Sequence, residues 1–257
     1  MTRLCLIGDS HLAALKSGWA PDAFPTIEPT FFAAPAKYMG DLAVADGALE
    51  ASDDDLKRRL RLTSGDLTRI AGDYDRYLVH GLELSLALVL DLCRQVPGMR
   101  NSKSWQARVA APSFMDTVDN VIRGSLAIRT AAKLRQVTAA PITLSPTPVS
   151  SARYPNLRLR LSENGNAQIV ADMFSDACRR AALEVKAGFL PQPTDTLDTD
   201  GLATKPIYSR EPARFLIPNA AEDLTHMNGE YGATVLRALL ADAAGAKPER
   251  SDSRLRA

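Results

Sequence analysis

The sequence has no apolar run of the roughly 20 residues needed to cross a bilayer, so a membrane-spanning protein is not expected. At the N-terminus, Leu4-Cys5-Leu6-Ile7 turns polar at Asp9, too short a stretch for the core of a secretory leader. Cysteine is scarce. Cys5, Cys93 and Cys178 are odd in number, widely spaced and without a CxxC pair, which reads as reduced, buried thiols in a cytoplasmic protein. A disulfide frame or a zinc site would need closer or paired spacing, and no metal site is expected. Net charge is also small, with 31 basic residues against 30 acidic ones, so the basic field that nucleic-acid binding requires is missing. The run Lys57-Arg58-Arg59-Leu60-Arg61 adjoins Asp53-Asp54-Asp55 and reads as a solvated face. Glycine-rich phosphate loops and internal repeats are absent.

What is present is a chain of 257 residues, 46% hydrophobic and 24% charged, long enough to bury a full core without staples. Five short apolar runs bounded by Gly, Pro or polar residues predict buried parallel strands: 3–8, 28–34, 76–80, 141–145 and 183–189. Helical patterns fall at 11–18, 85–95, 113–136, 165–183 and 231–244. The alternation predicts an α/β, doubly wound (flavodoxin-like) sandwich with a five-stranded parallel sheet. The expected organisation is one domain over 1–245 and a disordered tail over 246–257. Residues 56–70 read as a hairpin or a charged helix, with the hairpin favoured by the alternation Leu60-Arg61-Leu62-Thr63 before Ser64-Gly65-Asp66. Residues 97–112 read as a loop or lid, and 191–218 as a long irregular run of the kind that often carries function.

Two short motifs carry chemistry. Gly8-Asp9-Ser10-His11 stands where the first strand gives way to a helix. A serine there is exposed at the carboxyl edge of the sheet, and its own N–H belongs to a helix start whose donors are unpaired. The position can hold a nucleophile and stabilise an oxyanion together, or Asp9 or Ser10 can simply cap the helix. Asp223-Leu224-Thr225-His226-Met227-Asn228 precedes the last helix. A serine needs a base and a histidine base needs an acceptor for its other ring N–H, which Asp223 can supply three residues from His226. In a doubly wound sheet both motifs fall at the carboxyl edge, where sites form.

On these two motifs and the order of elements over about residues 3–244, the sequence resembles the SGNH (GDSL-like) hydrolase superfamily. The resemblance implies ester hydrolysis or acyl transfer through an acyl-serine, without metal or cofactor. Ser10 would be the nucleophile, His226 the general base and then acid, and Asp223 its orienter. It also implies an oxyanion hole from the N–H groups of Ser10 and Gly40, with Gly81 as a further donor. Where the family has Gly-x-Asn-Asp after its third strand, this chain has Gly81-Leu82-Glu83-Leu84. A carboxylate only accepts hydrogen bonds and would oppose an oxyanion. Glu83 can point away while Gly81 substitutes, His80 can donate instead, or the chain is a weak or non-catalytic member.

His80, Glu83, His11 and Asn228 are the candidates for a substrate pocket. His11 has a structural or substrate-facing role; the helical direction should carry it away from the Ser10 hydroxyl. The expected activity is a serine esterase or acyltransferase for small acyl (acetyl) esters, possibly of carbohydrates, with no nucleic-acid or membrane partner. The competing expectation is a catalytically weak SGNH-like protein that binds a saccharide or a protein. A third is a flavodoxin-like domain holding phosphate at the Ser10 helix start.

Overall fold

A computed structural model describes residues 1–97, 102–153, 166–215 and 223–243. Its main sheet has the order β2-β1-β6-β7-β8, every pair parallel, with β1 Thr2–Gly8, β2 Ile27–Ala33, β6 Arg76–His80, β7 Ile142–Ser145 and β8 Gly188–Phe189. The predicted α/β, doubly wound sandwich is the observed fold. β1 is the strand from which the winding departs in both directions, so the crevice between β1 and β6 is the switch point where such sheets bind ligands. Register sets what meets there: Gly8 lies beside Ala33 on one side and His80 on the other, and His80 lies beside Ser145. The chain leaves each of these residues at one carboxyl edge.

The central strands are covered on both faces. Leu4, Leu6 and Leu78 point into one apolar cluster, while Cys5, Ile7, Tyr77 and Val79 point into another. The first face is closed by α1 (Leu12–Gly18), which follows Ser10, and by the last described helix, Gly229–Ala243. Their backbones touch. A Cβ on Gly232 would lie 1.9 Å from the Ala14 carbonyl oxygen, and one on Gly18 would lie 2.2 Å from the Gly229 carbonyl oxygen. The helix that follows the Ser10 turn and the helix that follows the His226 turn are thereby locked at glycine-only separation.

The predicted hairpin over 56–70 is corrected: Asp54–Thr63 is a helix, α3, after the short α2 (Ala36–Met39). Asp53 caps it, its side chain accepting the Leu56 N–H at 2.9 Å, and Asp54 and Asp55 favour its first turn. Leu56 and Leu60 are buried, whereas Leu62, which made the segment look alternating, is exposed. The end of α3 closes the free side of β2: Ser64 Oγ accepts the Ala33 N–H at 3.0 Å and the Thr63 hydroxyl donates to the Ala33 carbonyl. The hairpin lies around α3 instead, in a small antiparallel sheet of β3 (Leu42–Ala45), β4 (Ala48–Ala51) and β5 (Arg69–Ala71).

Three further expectations are corrected. The single helix over 113–136 is two, α6 (Pro112–Arg123) and α7 (Leu126–Leu134), broken at Gly124-Ser125, where Gly124 N–H already bonds the carbonyl of Asn120. The expected loop at 97–112 contains α5 (Ser102–Val109), which buries Trp105 and follows α4 (Leu86–Gln95). The fifth strand is only Gly188–Phe189, because Leu183 and Glu184 still belong to α8 (Ala167–Glu184) and Lys186 turns the chain with φ +54°. The final helix is therefore α9. The run 191–215 is irregular apart from 3-10 turns at Thr194–Thr196 and Pro206–Ser209. The expected tail at 246–257 lies outside the described residues. No described helix is long and apolar enough to cross a membrane. The three cysteines are buried and free, and burial pushes each thiol pKa upward.

Candidate active site

The turn after β1 is built by Asp9, itself buried. Its Oδ1 accepts the His11 N–H at 3.0 Å and its Oδ2 accepts the Leu82 N–H at 2.8 Å, so it ties the Ser10 turn to the loop after β6. Gly8 is required by close approach: a Cβ there would stand 2.7 Å from the His80 carbonyl oxygen. Ser10 sits at the top of this turn, and its N–H has no partner among the described residues.

Asp223 folds the other motif around itself. Its Oδ1 accepts from Thr225 N–H at 3.0 Å, the Thr225 hydroxyl at 3.0 Å and His226 N–H at 3.1 Å. Its Oδ2 faces His226 Nδ1 at 2.8 Å and also accepts from Arg214. Burial alone would raise the Asp223 pKa. The His226 and Thr225 N–H groups, the Arg214 guanidinium and the neighbouring imidazole outweigh it and hold the carboxyl well below the usual range. An ionised carboxylate can only accept, so His226 carries its proton on Nδ1. Nε2 is then left to accept from the Ser10 hydroxyl, at 2.9 Å. The structure thus brings Ser10, His226 and Asp223 into one hydrogen-bonded chain.

His11 is not carried away from this group. Its ring stacks on His226, with centroids 4.7 Å apart and planes inclined by 21°. Burial lowers its pKa, with His226 pushing the same way and Asp9 and Asp223 opposing, so the stacked ring is neutral. His11 also lines a cavity of about 220 Å³, together with Leu90, Val149 and Thr225. Asn228 is structural, contrary to the pocket expectation. Its Nδ2 donates to the Ile207 carbonyl at 3.0 Å and its Oδ1 accepts the Tyr231 N–H at 3.2 Å, which caps α9.

The two glycines expected in an oxyanion hole have their N–H groups committed elsewhere. Gly81 N–H donates to the Ser145 carbonyl at 3.0 Å, extending the sheet, and Gly40 N–H turns onto the Tyr38 carbonyl at the end of α2. Gly81 has φ +76°, and a Cβ there would be 2.8 Å from Asp9 Oδ1. It is a packing and turn residue. After it Leu82 and Glu83 are also left-handed, at φ 50° and 65°, and Leu84 N–H closes the turn on the Gly81 carbonyl at 3.1 Å. This is the sign pattern of a type I′ turn, normally given to Asn and Gly. The Asp9 carboxylate on Leu82 N–H and the Ala127 N–H on the Leu82 carbonyl, at 2.8 Å, hold it. Glu83 is exposed at its tip and lines neither described cavity beside the motifs. A left-handed non-glycine costs about 1–2 kcal/mol. Glu83→Gly is accordingly expected to raise unfolding stability by about 1 kcal/mol, read from the denaturant midpoint at unchanged slope. A lower midpoint would show that the Glu83 side chain makes a contact that holds the turn.

His80 is fully buried, and neither ring nitrogen has a partner among the described residues. Burial pushes its pKa down to about 4, against the pull of Asp9 and helped by His11. Unfolded, the imidazole titrates near 6.5. Above that pH the ring is neutral in both states and stability is complete. As pH falls from about 6.5 to 4 the unfolded chain binds a proton that the folded chain refuses, so stability is lost through that window, by about 3 kcal/mol. His80→Met is expected to flatten this acid limb in denaturant titrations at pH 7, 5.5 and 4. Equal losses in the two proteins would mean that His80 takes up its proton in the folded state.

Sequence reasoning missed Arg59 and Arg214. With Ser10, Ala34, Pro35, Thr63, Phe215 and His226 they line a cavity of about 460 Å³. Arg59 stands in the run 57–61, whose charge pattern reads as a solvated face. Arg214 lies in the irregular 191–218 stretch, where the only available signal was the length of the loop.

Neither a family model nor a curated protein matches this chain. Among solved structures it is similar to an extracellular lipase from Streptomyces rimosus, at 11% identity over 92% of this chain and 99% of that one, with a TM-score of 0.43. It is also similar to a carbohydrate acetylesterase from Sinorhizobium meliloti, at 10% identity over 96% and 100%, TM-score 0.40. An inhibitor-bound aryl esterase of M. smegmatis gives 12% identity over 96% and 100%, TM-score 0.39.

Proposed function

We propose that this protein is a serine ester hydrolase of the SGNH type, acting on small acyl esters through an acyl-serine. The observation that carries the reading is the continuous chain Ser10 Oγ, His226 Nε2, His226 Nδ1, Asp223 Oδ2, with contacts of 2.9 and 2.8 Å. A hydroxyl without a base is a poor nucleophile, and this geometry supplies the base in the correct tautomer.

Ser10 Oγ attacks the ester carbonyl carbon as its proton passes to His226 Nε2. The imidazolium is stabilised by Asp223, which stays ionised because its other donors keep its pKa low. The tetrahedral oxyanion takes the free N–H of Ser10 at the start of α1. His226 then protonates the departing alkoxide, leaving acyl-Ser10. A water, deprotonated by His226, attacks the acyl carbon; the bond to Ser10 Oγ then breaks, His226 Nε2 returns the proton to that oxygen, and the acid leaves. A second alcohol in place of water would give acyl transfer. Small esters, acetyl esters of carbohydrates among them, fit this chemistry.

The deciding experiment is active-site labelling. A fluorophosphonate should modify Ser10, identified by peptide mass, and His226→Ala should suppress the labelling. If the folded wild-type protein is not labelled, the reading moves to a binding protein built on the same fold. Undiminished labelling in His226→Ala would remove His226 as the base.

A further inference from the structure

We propose that the cavity at Ser10 is built for esters that carry an anionic group, such as a carboxylate, on their acyl or alcohol portion. The inference rests on the ester-hydrolase reading and names its substrate class. Arg59 and Arg214 both line the cavity that Ser10 and His226 open into. Arg59 Nη2 donates to the Tyr38 hydroxyl at 2.6 Å and its guanidinium lies 3.8 Å over the Tyr38 ring, so the side chain is fixed in place. It has no carboxylate partner among the described residues. Lys16 adds a third positive charge at the rim, with Nζ 3.4 Å from the Thr63 carbonyl and 5.4 Å from the centre of the Phe215 ring. Against these stands Asp223, already occupied by Arg214 and His226. Asp9, the other carboxylate nearby among the described residues, is turned onto the His11 and Leu82 N–H groups.

The second observation is that the Nε–H groups of both Arg59 and Arg214 are buried without an acceptor among the described residues. A buried donor without a partner costs about 1–3 kcal/mol, and such groups call for a reason. These Nε–H groups lie beneath the cavity wall, and an anion in the cavity would meet the outer guanidinium N–H groups and offset the positive charge of Arg59 and Lys16. Ala34, Pro35 and Phe215 supply apolar wall for the rest of the ligand. A volume of about 460 Å³ holds a small ester of this kind. A neutral acetyl ester would leave the Arg59 guanidinium without a counter-charge.

The test compares matched esters. Mono-4-nitrophenyl glutarate against 4-nitrophenyl pentanoate places the charge on the acyl side, and 4-acetoxybenzoate against its methyl ester places it on the alcohol side. At low salt, one anionic member should exceed its neutral partner in kcat/KM by about 10- to 100-fold, the range that one or two charge-assisted hydrogen bonds supply. Arg59→Gln should collapse that ratio towards one, and 0.5 M salt should shrink it. The pair that shows the preference identifies the side of the ester that carries the charge. Equal rates within both pairs, or a ratio unmoved by Arg59→Gln, overturn the proposal. Calorimetry with Ser10→Ala separates this from the catalytic reading. If no ester is hydrolysed but Ser10→Ala still binds mono-4-nitrophenyl glutarate or 4-acetoxybenzoate over its neutral partner in an Arg59-dependent way, the anion site stands and the hydrolase reading falls. Absence of both hydrolysis and preferential binding removes the two together.

Discussion

Asp223→Asn is expected to lower kcat for a small acetyl ester by about 10⁴, the size measured for the corresponding change in a serine protease. The cause here can be traced atom by atom. Oδ1 accepts three donors, from Thr225 N–H, Thr225 hydroxyl and His226 N–H, and Oδ2 accepts from His226 Nδ1 and from Arg214. An asparagine that keeps its oxygen towards the three donors points an NH2 at Nδ1–H and at the guanidinium. The imidazole then does best as the other tautomer, with Nε2–H facing Ser10, and can no longer take its proton. Turned over, the amide would meet three donors with two N–H groups, which is worse. Arg214, largely buried, is left without its counter-charge either way, so stability should also fall, by about 2–3 kcal/mol. Steady-state kinetics and denaturant titration on the same preparation separate the effects. A kcat within tenfold of wild type in folded Asp223→Asn would show that Asp223 does not govern the His226 tautomer.

The strands were legible because the central ones are covered on both faces and so read as unbroken apolar runs, Leu4–Ile7 and Tyr77–Val79 among them. Both motifs were legible for a related reason: each depends on residues within three positions of each other, so the turn that presents Ser10 and the turn in which Asp223 meets His226 are written locally. What escaped depends on closure in space. Leu60-Arg61-Leu62 mimics a strand, and only the Asp53 cap and the fit of Thr63 and Ser64 onto Ala33 make the segment a helix. A sequence shows that Gly40 and Gly81 are glycines. It does not show that their N–H groups are already engaged by Tyr38 and Ser145. Arg59 and Arg214 lie 155 positions apart and meet only because α3 and the 191–215 run border one cavity. His11 follows Ser10 at once, yet its stacking on His226 depends on how α9 docks against α1.

That docking underlies the second large effect, expected from Gly232→Ala. In an exposed helix the same change would stabilise by about 1 kcal/mol, because alanine has less chain entropy to lose. Here the new methyl would stand 1.9 Å from the Ala14 carbonyl oxygen and 2.3 Å from the Ala14 carbonyl carbon, both backbone atoms that cannot rotate aside. α9 must then move off α1 by more than an ångström, opening the contact of Leu12 and Leu15 with Tyr231, Val235 and Leu236. The steric term wins, and the loss should reach or exceed the ~3 kcal/mol at the upper end of overpacking changes. The displacement also reaches the site, since Met227 and Asn228 join His226 directly to the start of α9, while Ser10 is joined to α1. A 1 Å error between nucleophile and base costs about 10² in rate. Gly232→Ala should therefore fall in both melting temperature and kcat, and in the rate of fluorophosphonate labelling at temperatures where it is still folded. Gly18→Ala, clashing across the same contact with the Gly229 carbonyl oxygen at 2.2 Å, should do the same. If Gly232→Ala proved as stable as wild type, α1 and α9 would not pack at the separation that places His226 against Ser10.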